Sequence, residues 1–240
     1  TRDRVKLNIG SILTLGALGI LNVVVSMLLL QLAIYYGKAS LTAIIVSMNP
    51  LFVSLFAYII IREKLSSYQV YSLLMGIAGL LVIILGEKDL LSADYTNLSL
   101  GVSFAILAGI TFALYTVLTK RAVIRYGNSV TNGASFLIGG IILSIINTLI
   151  GKTMMFEPSI QNISLILYLG VIVTGIAYLF YFEAMKTLSA AKASIYFFLK
   201  PALASLLAFA FLREHLSITQ VLGIVLVMLA LSRRLWLKRI

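Results

Sequence analysis

The sequence is poor in the residues that proteins most often use for metal binding and covalent chemistry. Its 240 residues contain no cysteine and a single histidine. The absence of cysteine excludes disulfide bonds and thiolate metal sites. No histidine and acidic residues occur together at metal-binding spacing, and no glycine-rich phosphate loop is present. We therefore expect neither a metal nor a cofactor.

Charged residues are also scarce. They make up 11% of the chain, against about 25% in a typical soluble domain, while 61% of the residues are hydrophobic. Apolar runs of nearly 20 residues recur, each long enough to cross a hydrocarbon core of about 30 Å. These features predict an all-α, polytopic membrane protein whose main surroundings are the lipid bilayer.

The net charge of +11 would suggest nucleic-acid binding in a soluble protein. Most of the lysines and arginines, however, fall in short loops between apolar runs. There they orient the helices, and we expect no nucleic-acid partner.

The apolar runs predict eight spans. If the N-terminal segment is cytoplasmic, 14 of the 19 lysines and arginines lie on the cytoplasmic side and four on the other, with Lys200 inside a span. This imbalance predicts a cytoplasmic C-terminus. The predicted spans are 9–34, 41–61, 67–86, 98–119, 130–151, 164–185, 191–212 and 217–236.

An internal repeat relates the two halves of the chain. "NPLFVSLFAYIIIREKLSSYQV" (49–70) aligns without gaps to "KPALASLLAFAFLREHLSITQV" (200–221), an offset of 151 residues. The polar residues of the segment Arg-Glu-x-Leu-Ser-x-x-Gln-Val match in both copies. Its Ser-x-x-Gln pattern predicts a capping box at the start of a helix.

The two copies have opposite predicted orientations in the membrane, a common signature of secondary transporters. Spans four and five (98–151) have no visible counterpart in the first half. We therefore expect two further helices before residue 1, giving ten helices in a 5+5 inverted repeat. Residues 1–90 would be the remaining three helices of the first repeat, and residues 91–240 the five helices of the second.

With these elements the sequence resembles the EamA-type family of the drug/metabolite transporter superfamily. The better copy of the family's pattern is "SAAKASIYFFLKPALASLLAFAFLREHLSITQVLGI", and the looser one begins at "GKASLTAIIVSMNP". The resemblance implies ten helices around a central cavity, transport by alternating access, and a bacterial inner membrane as the location. It does not imply a particular substrate.

The most informative polar residues lie beside prolines within two spans. Lys200 precedes Pro201, and Asn49 precedes Pro50 at the equivalent position of the first copy. Proline-broken helices at corresponding positions of inverted repeats point to a binding site. A mid-span lysine faces a cavity or substrate, pairs with a carbonyl or Glu183, or extends its stem toward the interface.

Other polar side chains within the spans complete the set of candidate substrate-binding residues. Glu183 is interpreted as a local partner of Lys186, and Glu63 as a turn residue rather than a gate. Asn22 either lines the cavity or bonds another helix. The remaining candidates are Tyr115, Tyr178 and Tyr196.

The predicted function is secondary transport of a small organic metabolite, such as an amino acid or another carboxylate. One alternative is an incomplete and inactive transporter fragment. The other is an intramembrane enzyme acting on lipid, which would need a nucleophile, base or metal cluster that the sequence does not offer.

Overall fold

A computed structural model describes residues 8–37, 39–85, 97–151, 158–212 and 217–236. Within these residues the chain is helical and contains no β-strand, which confirms the predicted all-α class. The helices are α1 (Ile9–Tyr36), α2 (Ala39–Ser47), α3 (Asn49–Ile61), α4 (Ser67–Leu85), α5 (Leu98–Tyr126), α6 (Asn128–Leu149), α7 (Ile160–Thr187), α8 (Ala190–Ile195), α9 (Leu199–Leu212) and α10 (Ile218–Trp236).

Helices α1, α6, α7 and nearly all of α5 are each long and apolar enough to cross a membrane, being 22 to 28 residues long. Helices α2 and α3 together form one predicted span, and α8 and α9 together form another. In both cases a break in the helix divides the span. The structure thus contains helices at all eight predicted positions.

Helix α5 is longer than predicted. The fourth span was expected to end at residue 119, but the helix continues to Tyr126, and Gly127 with φ of 85° ends it. The residues that follow the predicted end, from 120 to 126, all tolerate helical geometry. The helix therefore continues although the hydropathy of the sequence falls. Glycine ends it because glycine adopts a positive φ without steric cost.

Helices α1 and α6 pack at backbone distance. A Cβ atom added to Gly139 would lie 2.6 Å from the carbonyl oxygen of Gly19, closer than two such atoms can approach. Small residues permit this kind of contact between helices in membranes, where van der Waals packing holds the bundle together.

The two predicted capping boxes are confirmed. The amide oxygen of Gln69 accepts from the Ser66 backbone N–H at 2.7 Å, and that of Gln220 accepts from the Ser217 N–H at 2.9 Å. The serine hydroxyls accept in return from the glutamine N–H groups. These reciprocal bonds start α4 and α10, which occupy corresponding places in the two repeats.

Helix α7 differs from its repeat equivalent, α1, in how much of it is covered. No residue from Ile160 to Ile176 is buried among the described residues. The equivalent stretch of α1 buries seven residues, because α5 and α6 pack on it. One face of α7 therefore has no helix against it in the described part of the chain.

Candidate substrate cavity

The two discontinuous spans break at corresponding places. Met48, with φ of −76° and ψ of 0°, separates α2 from α3 and directly precedes Asn49-Pro50. A 3₁₀ turn over Tyr196–Phe198 separates α8 from α9 just before Lys200-Pro201. Proline lacks an N–H and cannot continue the hydrogen-bond pattern of the preceding turn. Sequence chemistry thus explains both breaks.

A second pair of irregular segments lies in α1 and α7. Ile20–Ser26 and Tyr168–Ile176 are π-helical, and they occupy nearly equivalent positions in the two repeats. Such wide turns are rare and occur often at functional sites. The two repeats therefore each carry a wide turn and a helix break, in four helices that meet near the centre of the fold.

An open cavity of about 160 Å³ lies beside the two helix breaks and the π-helical segment of α1, and Tyr178 lines it just after the π-helical segment of α7. Its walls come from α1, the two broken spans, α5 and α7. Six of the lining residues form three pairs related by the 151-residue offset: Met27 with Tyr178, Val46 with Phe197, and Asn49 with Lys200. The cavity thus lies between the repeats, where inverted-repeat transporters bind substrate.

Lys200 is the cationic group of the cavity. Its Nζ lies 4.1 Å from the centroid of the Phe197 ring, a cation–π contact, and the residue remains exposed. The expected alternative partner, Glu183, instead binds Lys186 at 2.8 Å and accepts from Asn128 at 2.9 Å. The local Glu183–Lys186 pair was predicted correctly, and pairing of Lys200 with Glu183 was wrong. Among the described residues no carboxylate neutralises Lys200.

Two side-chain amides face the same cavity. Asn22 and Asn49 are each 1% exposed, and neither amide atom of either residue makes a hydrogen bond of normal geometry with a described residue. The Tyr178 hydroxyl interacts electrostatically with the Asn22 amide without reaching such geometry. An unpaired buried amide is costly. These groups are thus available to hydrogen-bond a molecule within the cavity.

Two candidate residues do not line the cavity. Tyr115 is fully buried behind it and packs edge-on against Phe182, with ring centroids 5.8 Å apart. Tyr196 is 49% exposed on the surface of the bundle. The rotation of each helix about its axis decides which residue of a turn faces the cavity, and hydropathy does not report that rotation.

Apolar lining residues were missed by the sequence reasoning. Met27 and Phe197 face the cavity, as does Phe112 from α5. Met27 could have been found because it is the repeat equivalent of the candidate Tyr178. Phe112 has no such signal, since α5 has no counterpart in the described chain.

An ion-pair network joins the repeats at the end of the bundle where α1 starts and α3 ends. The Glu63 carboxylate binds the ammonium of Lys120 and accepts from the Ala190 backbone N–H at 2.8 Å. Lys120 also donates to the Leu188 carbonyl at 2.9 Å. Glu63 follows α3 in a turn, as predicted, but its partners lie 57 and 127 residues away. Residues 213–216, the second copy of this turn, lie outside the described residues.

The family profile of EamA-like transporters matches residues 1–85 and 99–232. The chain belongs to the EamA-like transporter family. This places it among membrane transporters, and confirms the resemblance seen in its sequence.

Individual relatives agree with the EamA assignment. An uncharacterized transporter of Clostridium kluyveri is 34% identical over 215 residues, covering 90% of this chain and 69% of the relative. Protein PecM of Dickeya dadantii is 27% identical, covering 93% and 73%. A chain of known crystal structure superimposes with a TM-score of 0.75 at 16% identity, covering 95% of this chain and 86% of that one. That likeness shows the shared fold.

Proposed function

We propose that this EamA chain is a secondary transporter that moves small organic carboxylates, such as amino acids, through the cavity between its repeats. The observation that carries the proposal is the meeting of Lys200, Asn22 and Asn49 in one cavity, with no carboxylate neutralising the lysine among the described residues. The named relatives in this family support transport rather than an enzymatic reaction.

The cavity chemistry favours an anion with an apolar body. The Lys200 ammonium matches a carboxylate, because charge-assisted hydrogen bonds are about twice as strong as neutral ones. The amides of Asn22 and Asn49 can donate and accept beside it. Phe112 and Phe197 provide apolar walls for the rest of the molecule. The ammonium of an amino acid would meet the amide oxygens, since amides accept as well as donate.

Transport proceeds by alternating access, with the Glu63 network as the closure on one side. The cavity is lined by the second half of α1 and the first half of α5, away from the end that carries Glu63 and Lys120. The basic residues around this end support a cytoplasmic location for it. The described conformation is thus closed toward the cytoplasm, and opening there requires Glu63 to leave Lys120 and Ala190.

The uncovered face of α7 fits the proposed division into repeats. Residues 1–90 hold three helices of the first repeat, and residues 91–240 hold all five of the second. The pair α5–α6 covers α1, and the equivalent pair of the first repeat would cover α7.

The proposed function is tested by uptake into proteoliposomes. The full chain is reconstituted and offered a panel of radiolabelled amino acids and other monocarboxylates, with and without an imposed pH gradient. We expect accumulation of at least one carboxylate and its loss in Lys200→Ala. Absence of carboxylate transport, or full transport and affinity in Lys200→Ala, would overturn the proposal.

A second experiment tests for the pair of helices that would cover α7. The 240-residue chain is compared with a chain extended upstream in the same reading frame, by uptake and by thermal unfolding in detergent. We expect the extended chain to be more stable and more active. Equal stability and equal uptake would mean that the face of α7 meets lipid directly.

A further inference from the structure

A second recess lies on the other side of the Glu63 network, between α1 and α5. It is an open groove of about 410 Å³ at the end of the bundle that carries the basic loops. It shares no lining residue with the central cavity. The transport proposal therefore does not account for it.

The rim of this groove carries two arginines on one face of α5. Arg121 and Arg125 are four residues apart, a spacing that places both side chains on the same side of a helix, and both are exposed. Arg121 donates to the Ile60 carbonyl at 2.6 Å, and the Arg125 guanidinium lies 5.2 Å from the Tyr126 ring centroid. Both described carboxylates bind lysines instead, so neither arginine has an acidic partner in the described part of the chain.

The rest of the groove lining is apolar except for the side chains of Thr14 and Tyr126. Leu18 and Leu21 of α1 face Leu118 of α5, and the exposed Ala17 leaves room beside them. A cationic rim above apolar walls matches a molecule with an anionic head and a hydrocarbon tail. Basic pockets between transmembrane helices bind anionic lipid head groups in this way.

The geometry points to a binding site for an anionic phospholipid in this groove, with its phosphate on Arg121 and Arg125 and an acyl chain along Leu18 and Leu118. Charge argues against the chain's own N-terminal segment as the occupant. Residues 1–7 carry three basic residues and one acidic residue, the same net sign as the rim. Anionic lipid complements the rim.

The test compares spin-labelled phosphatidylglycerol with spin-labelled phosphatidylcholine in phosphatidylcholine vesicles that contain the full chain. Electron paramagnetic resonance gives the ratio of their association constants for the protein. We expect a ratio of about five or more, since a basic side chain near an anionic lipid contributes roughly a factor of five. In R121Q/R125Q the ratio should fall toward one.

Two further variants separate a defined site from general surface attraction. K64Q removes an exposed basic residue at the same end but outside the groove, and should leave the ratio unchanged. A17F keeps both arginines and fills the groove with a ring, and should lower the ratio at least twofold. The proposal fails if R121Q/R125Q or A17F keeps the wild-type ratio, or if K64Q lowers it equally. Should R121Q/R125Q not fold, A17F alone decides.

Discussion

Asn49 and Lys200 occupy the same position in the two repeats and line the same cavity. The repeat accounts for the prolines that follow them. It does not account for the difference in charge between them, which we attribute to function. One half offers a neutral amide and the other offers a cation. The approximately symmetric cavity is therefore positively charged at one side only, which suits a substrate with a carboxylate at one end.

Removal of the charge at position 200 should weaken binding of carboxylates. Lys200→Met keeps the length of the side chain, and we expect KM to rise about tenfold to a hundredfold, since hydrogen bonds to charged groups contribute about 1.5–3 kcal/mol. Uptake at varied substrate concentration measures this. Lys192→Met removes a cation of the same span that does not line the cavity, and an equal rise in KM there would contradict the prediction.

The unpaired cavity amides should serve function rather than stability. Asn22→Leu replaces an unbonded buried amide by an apolar group of similar size, so the melting temperature should stay the same or rise by a few degrees while uptake falls. Thermal unfolding in detergent and uptake are measured together.

Asn128→Leu is the matched control for this prediction. Its amide donates to the Leu179 carbonyl at 2.7 Å and to Glu183 at 2.9 Å. Its loss should lower stability by about 1–3 kcal/mol. If Asn22→Leu destabilised the protein as much as Asn128→Leu, Asn22 would be a structural residue.

Neutralising Glu63 should open the side that the proposed orientation makes cytoplasmic. Thr116 lies on α5 between the cavity residue Phe112 and Lys120, and it is 0% exposed. The chain has no cysteine, so Thr116→Cys introduces a single thiol. In Glu63→Gln this thiol should react faster with a membrane-impermeant reagent applied from the cytoplasmic side, because the carboxylate no longer binds Lys120.

Lys64→Gln provides the comparison for the labelling experiment. Lys64 is exposed beside Glu63 and takes no part in the network. Its variant should label at the wild-type rate. If Thr116→Cys alone and Thr116→Cys combined with Glu63→Gln are labelled at equal rates, the ion pair does not control access.

The contact between α1 and α6 should tolerate no added methyl group. Gly139→Ala would place a Cβ atom 2.6 Å from the Gly19 carbonyl oxygen, and we expect a loss of about 1–3 kcal/mol from the forced backbone shift. Gly140→Ala, where nothing lies within 4 Å, should be neutral or stabilising because alanine favours the helix. Thermal unfolding in detergent separates the two, and a similar effect of both would contradict the packing.

Some features of the molecule follow from local sequence. Hydropathy located the eight helical segments, because a segment that crosses a membrane must present about 20 apolar residues to lipid. The Ser66–Gln69 capping box was readable because its bonds close within one helical turn. The 151-residue repeat identified Asn49 and Lys200 as partners, since inverted repeats place equivalent helix breaks at their common interface.

Other features depend on contacts between distant segments. The sequence offered Tyr115 and Tyr196 as cavity residues, but helix rotation buried the first and exposed the second. It also offered Glu183 as a partner of Lys200, whereas Glu183 forms an ion pair with Lys186, three residues further along the same helix.

The sequence by itself determined the class of protein, the positions of the helical segments and the repeat, because hydropathy, capping and internal similarity are properties of short segments. Only the tertiary structure decided that Asn22 joins Asn49 and Lys200 in one cavity, and that Glu63 binds Lys120 and the Ala190 backbone. Those contacts depend on the rotation of each packed helix about its axis and on the angles at which the helices cross. Close contacts such as Gly19 against Gly139 fix that geometry, and no single segment encodes it.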